Sequence, residues 1–88
     1  MDINKLYDEL GKLGLGTVWD ADDKNVSIGN PSFANPLLWF NAYTKKEDYH
    51  GTISIKSINA PLFTGEQIKK SLYLVDTFLQ TPLRNRGL

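Results

Sequence analysis

The sequence predicts an α+β fold in the order α-β-β-β-β-α, with an antiparallel sheet and two helices packed on one face. Three observations carry that expectation. An amphipathic stripe opens the chain, a well-punctuated helix lies near its end, and four short β-favouring segments separated by turn residues stand between them. With 88 residues and 41% hydrophobic content, the chain suffices for one core and one domain, of modest stability.

Ile3, Leu6, Tyr7, Leu10 and Leu13 recur at helical spacing, with Asn4, Lys5, Asp8, Glu9 and Lys12 on the other side. They predict a helix from about Asp2 to Leu13, which Gly14 stops. Leu15 to Asp20 contains Thr17, Val18 and Trp19, and Asn25 to Gly29 alternates Val26 and Ile28 with polar neighbours. Joined by the turn-forming run Asp20-Ala21-Asp22-Asp23-Lys24, they predict a hairpin. Two Asn-Pro steps make 30–36 a loop, since each proline steers its predecessor away from helix and removes a backbone donor.

Leu37 to Tyr43 is the densest apolar run and lacks a helical stripe, so it reads as a strand apolar on both faces. The charged run Lys45 to His50, ending at Gly51, leads into Thr52-Ile53-Ser54-Ile55-Lys56, whose alternation predicts the fourth strand. Val26, Ile28, Ile53 and Ile55 then face the helices, and Ser27, Thr52, Ser54 and Lys56 line the opposite face. Leu38, Phe40 and Ala42 are placed inside, because Trp39 and Tyr43 carry polar atoms suited to a half-wet surface.

Pro61 breaks the chain before the second helix. Thr64 caps that helix, Gln67 completes a capping box, and Phe63 and Ile68 stand where a hydrophobic staple closes. Ile68, Leu72, Val75 and Leu79 form its stripe, widened by Leu74 and Phe78. Lys69, Lys70, Tyr73, Asp76 and Thr77 face away. Pro82 ends the helix, and 83–88 reads as a frayed basic tail.

Composition narrows the function classes. There is no cysteine, so disulfides, thiolate metal sites and cysteine nucleophiles are excluded. No stretch approaches the ~20 apolar residues of a membrane span, and the first residues lack a basic segment followed by an apolar run. A cytoplasmic protein with no membrane association is the expectation. Ten basic and ten acidic residues cancel, which argues against strong phosphate attraction. The charge is unevenly spread, with an acidic start and a basic finish.

Asp20, Asp22 and Asp23 resemble only the opening of a calcium loop: the sixth position from Asp20 is Asn25 and the twelfth is Pro31, where such a loop needs glycine and glutamate. They read as a solvated turn, and no metal is expected. His50 is the sole histidine and reads as a hairpin-turn residue. Gly11, Gly14 and Gly16 follow a helix and precede a strand, the reverse of the nucleotide-binding order, so no cofactor is expected.

The order of a helix, antiparallel strands and a final helix resembles the double-stranded-RNA-binding domain, with Lys69-Lys70 near the start of the last helix. That family has one strand fewer, a longer lysine cluster after a glycine-rich approach, and alanines where this chain has Ile68, Leu72 and Val75. The likeness is one of topology, which does not transfer function. A short cysteine-free chain rich in Lys, Asn, Ile and Leu also resembles, in style over its whole length, the small orphan proteins of low-GC Gram-positive bacteria and their phages. That resemblance implies a protein that binds a host or viral factor.

The expected function is therefore a non-enzymatic protein-binding module. Trp39 and Tyr43 on the open sheet face carry it, joined by Trp19 and Lys56, with Tyr73 on the second helix. Either these rings form a contact patch, or loop 30–36 or the C-terminal tail folds over them as a second small core. A homodimer through the patch is one way to cover it. The alternative is nucleic-acid binding, with Trp39 and Tyr43 as stacking platforms and Lys56, Lys69, Lys70, Arg84 and Arg86 as phosphate contacts.

Overall fold

Two helices lie antiparallel across one face of a four-stranded antiparallel sheet in the computed structural model, which describes residues 1–32 and 35–88. Phe33 and Ala34, within the expected loop 30–36, fall outside the described residues. The elements are α1 (Ile3–Lys12), β1 (Gly16–Asp20), β2 (Asn25–Gly29), β3 (Pro36–Asn41), β4 (Ser54–Ile55) and α2 (Gly65–Gln80). The strands follow chain order, β1-β2-β3-β4, as a simple meander.

The capping box at α2 forms as its residues dictate. Thr64 Oγ1 accepts from the Gln67 backbone N–H at 3.0 Å, and Gln67 Oε1 accepts from the Thr64 N–H at 2.9 Å. The side-chain amide of Gln67 also donates to the Leu13 carbonyl at the end of α1. One residue thus completes the start of α2 and ties it to the end of α1.

The opposite ends of the helices are joined by residues expected to be a frayed tail. Instead of fraying, the chain after Pro82 makes a short 3-10 turn, Leu83–Asn85, and brings Arg86 into the interior. Its guanidinium donates to the carbonyls of Leu79, Thr81 and Ala42 at 2.8 to 2.9 Å and lies 5.2 Å from the centre of the Phe78 ring. The last carbonyls of a helix lack intrahelical donors and sit at the negative end of its dipole, so a cation there meets both needs. The Arg86 carbonyl in turn accepts from the N–H of Ile3, an orphan donor of the first turn of α1. Gly87 follows at a φ of 74°, where a Cβ would come within 3.3 Å of the Asp2 side chain, so glycine suits both the backbone and the space.

Val26, Ile28, Leu38, Phe40 and Ala42 are all buried, as their alternation implies, and Phe40 meets Phe78 of α2 edge to face at 5.9 Å. Leu37 breaks the alternation by being buried as well. The register slips between Ile28, opposite Leu38, and Gly29, opposite Pro36, which leaves Leu37 as the extra residue of a bulge. A bulge re-aims a side chain, so Leu37 joins Leu38 in the core rather than standing beside Trp39.

The fourth strand is much shorter than 52–56. Only Ser54 and Ile55 pair, with Trp39 and Leu38. The chain then winds into a 3-10 stretch, Ser57–Leu62, which Asn59 pins by donating to the Pro36 carbonyl at 2.8 Å. Ile53 still packs on the core, but Ile55 is exposed at the sheet edge, contrary to its expected burial. Tyr49 anchors the preceding loop by donating to Asp76 Oδ1 of α2 at 2.7 Å.

Three outcomes follow from these contacts. Thr64→Ala removes a cap acceptor and should cost about 1 kcal/mol in thermal or urea unfolding. Arg86→Met leaves three carbonyls without donors and should cost about 3 kcal/mol or more, with Arg86→Lys recovering only part. The third concerns pH. Burial first, then the hydrogen bond to Asp76 and its charge, push the Tyr49 hydroxyl up to about 12. The folded state therefore holds this proton more tightly than the unfolded chain, where tyrosine titrates near about 10. The contribution is complete below about pH 10 and is lost as pH rises through about 12. Thermal melts of wild type and Tyr49→Phe should differ at neutral pH and converge across that window.

Candidate functional site

The residues expected to form one binding patch are distributed over three surfaces. Strand register decides the first division. Val18, Ser27, Trp39 and Ser54 lie opposite one another across all four strands, forming one row on the sheet face away from the helices. Trp39 is half-buried there between two serines, with exposed Val18 at the end of the row. Lys56, also exposed, begins the chain's departure from β4, and its backbone N–H donates to Leu37.

Trp19 belongs to the other face. It pairs with Val26, a core residue, so alternation sends both side chains toward the helix layer, Trp19 at the outer edge. Tyr43 reaches the same place by leaving its strand. Asn41 ends β3 by accepting the Tyr43 N–H on its side-chain oxygen at 2.8 Å, and its carbonyl accepts from Thr44. This turn cancels the alternation that would have set Tyr43 beside Trp39. The rings of Trp19 and Tyr43 meet at 6.3 Å between centroids, tilted by 43°, and stay 40% and 41% exposed.

This pair is the centre of the second surface. Ile3 and Tyr7 from the first turns of α1 and Leu88 from the C-terminal segment complete a cleft of about 390 Å³ around it. Burial pushes the Tyr7 hydroxyl above the ordinary tyrosine range. Tyr43 and Leu88 also line a neighbouring hollow of about 480 Å³, walled by Pro82 and Leu83 and bordered by Lys45, Glu47 and Arg84. The two hollows make one apolar surface with charges of both signs at its rim. Lys24 approaches the Tyr43 ring to 6.0 Å.

The third surface lies along the helices. Tyr73 is 69% exposed and, with Leu13 and Leu74, lines a groove of about 450 Å³ flanked by Glu9, Lys12, Glu66 and Lys70. Its charges are paired along each helix: Lys70 with Glu66 at 3.3 Å, and Lys5 and Lys12 with Glu9 at 3.0 and 3.1 Å. Hydrogen bonds from Lys5 and then Lys12 hold the Glu9 carboxyl below its ordinary range.

Of the basic residues expected to contact phosphate, Arg86 is removed outright. Burial lowers the proton affinity of its guanidinium, with Glu47 opposing, and each of its three nitrogens donates to a backbone carbonyl. Lys56, Lys69, Lys70 and Arg84 stay exposed: Lys56 just after β4, Lys69 and Lys70 on α2, and Arg84 in the 3-10 turn Leu83–Asn85. The Asp20 carboxylate accepts from the N–H groups of Asp22 and Asp23 at 3.0 and 3.2 Å, the geometry of a turn.

Sequence reasoning misses Ile3, Tyr7 and Leu88 as surface-forming residues. Tyr7 belongs to the apolar stripe of α1, and only Arg86 brings the chain end next to it. The position of Trp19 does have a signal: a four-residue turn puts Trp19 opposite Val26, and therefore on the helix side. No helix among the described residues is long and apolar enough to cross a membrane. No family model, curated protein or solved structure matches the chain.

Proposed function

We propose that this chain is a small protein-binding module, and that its docking surface is the Trp19–Tyr43 cleft rather than the open sheet face. One observation carries the reading: two large aromatic rings, each about two-fifths exposed, stand together in a concave apolar surface built from both ends of the chain. Tryptophan and tyrosine dominate interface energetics because they offer large contact area at little conformational cost and keep a polar atom at the wet edge. Lys24, Lys45, Glu47 and Arg84 around the rim provide a polar border of mixed charge. Trp39 on the far side of the sheet takes no part. If the compositional likeness to small phage proteins extends to function, the partner is a host or viral protein.

Nucleic-acid binding loses support, because Arg86 is committed to the interior and Lys70 is paired with Glu66. Gel shifts with single- and double-stranded DNA and RNA at low salt should show no retained complex. The direct test is affinity capture from the native host, followed by titration of the purified partner. Trp19→Ser and Tyr43→Ser should each weaken that complex by about tenfold or more, equivalent to roughly 1.4 kcal/mol, while Trp39→Ser leaves it unchanged. A complex broken by Trp39→Ser and indifferent to Trp19→Ser would move the docking surface to the open sheet face.

A further inference from the structure

The two edges of the sheet are treated differently by the sequence. β4 is a two-residue edge followed at once by Lys56 and then by a 3-10 stretch containing Pro61, all recognised means of blunting an edge. β1 has none of these. It is a regular five-residue strand, Gly16-Thr17-Val18-Trp19-Asp20, uncharged until its last residue and without proline, lysine or bulge. Among the described residues β2 is the only strand that pairs with it. The outward-pointing N–H and C=O groups of such a strand offer a template for another strand.

We propose that the strand filling this edge is β1 of a second copy of this chain, paired antiparallel about Val18. The self-pairing is complementary in three respects. First, a twofold axis at Val18 sets Thr17 opposite Trp19 and Gly16 opposite Asp20. The charges of the two Asp20 residues then fall at opposite ends of the ladder, where like charges directly across would repel. Second, antiparallel pairing aims the acidic turn Asp20–Asp23 of each copy at the end of α1 in the other, which carries Lys12. Lys12 shares the Glu9 carboxylate with Lys5 and its side chain is 70% exposed, so its ammonium stays accessible to that turn. Third, Val18 is 44% exposed at the end of the row it forms with Ser27, Trp39 and Ser54. Placing it against Val18 of the second copy continues that row across an eight-stranded sheet. The contact is isologous and consumes the open edge of both chains, so assembly stops at two. It leaves the opposite edges of the combined sheet as the two blunted β4 strands.

Analytical ultracentrifugation across a concentration series should show a monomer–dimer equilibrium. Val18→Lys and Val18→Glu each place like charges face to face at the axis, and each should weaken association by about tenfold or more. Mixing the two variants should restore a dimer that neither forms alone. Because Val18 is exposed, both variants should melt close to wild type. Hydrogen exchange on the unaltered chain gives an independent reading: protection of amides in 16–20 should rise with protein concentration. A wild-type chain that stays monomeric at its highest soluble concentration would overturn the proposal. So would a dimer indifferent to both Val18 changes or broken instead by Trp39→Ser, the latter locating self-association on the open face. Concentration-independent exchange at 16–20, or rescue of that protection only by an extended peptide from another protein, would equally exclude the second copy.

Discussion

One buried guanidinium closes this fold at the place where most of its parts meet. Arg86 supplies donors to the last carbonyls of α2 and to the end of β3, while its own carbonyl receives the first turn of α1. Burying a guanidinium leaves donors to be satisfied, and here each of its three nitrogens meets a carbonyl that the ends of regular structure leave without a partner. The two deficits cancel. The ring of Phe78 beneath the guanidinium adds a cation–π contact from the core itself.

The candidate surface depends on the same contact. Leu88 lies beside Trp19 and Tyr43 because Arg86, two residues earlier, is held inside, and Ile3 and Tyr7 are presented there because α1 starts against that segment. The chain ends are therefore part of the surface rather than appendages to it. At the other end of the helix pair, Gln67 plays the corresponding part in neutral form, tying the Leu13 carbonyl to the start of α2. With both ends tied, the helices cover a single face of the sheet and leave the row of Val18, Ser27, Trp39 and Ser54 on the other.

Two local irregularities then decide what each face displays. A bulge at Leu37 turns an apolar residue inward, and an Asn41 turn carries Tyr43 around the end of the sheet to Trp19. Without them, strict alternation would have lined the open face with Leu37, Trp39 and Tyr43. With them, the open face keeps one tryptophan among serines, and the aromatic pair forms at the rim of the helix layer. At Gly29, facing the bulge, a Cβ would stand 2.7 Å from the Asn35 carbonyl, so the missing side chain is what permits the irregular approach.

The amino-acid sequence by itself determined the element order, the first hairpin, the capping box at Thr64 and Gln67, and the burial of Val26, Ile28, Leu38, Phe40 and Ala42. These features depend on periodicity and on contacts three or four residues apart, which a linear pattern records. It named Trp19, Tyr43 and Trp39 as residues of interest without saying which stood together, because faces depend on register and a single-residue bulge or turn inverts them. The alternation of Thr52 to Lys56 likewise promised a strand, yet only Ser54 and Ile55 pair with β3, because the Ile53 N–H goes to the Gly51 carbonyl and the chain beyond Lys56 turns into the 3-10 stretch. Arg86 shows the limit most clearly. In the chain it is one of several basic residues near the end, and it becomes a structural centre only because carbonyls from residues 42, 79 and 81 converge on one point in space.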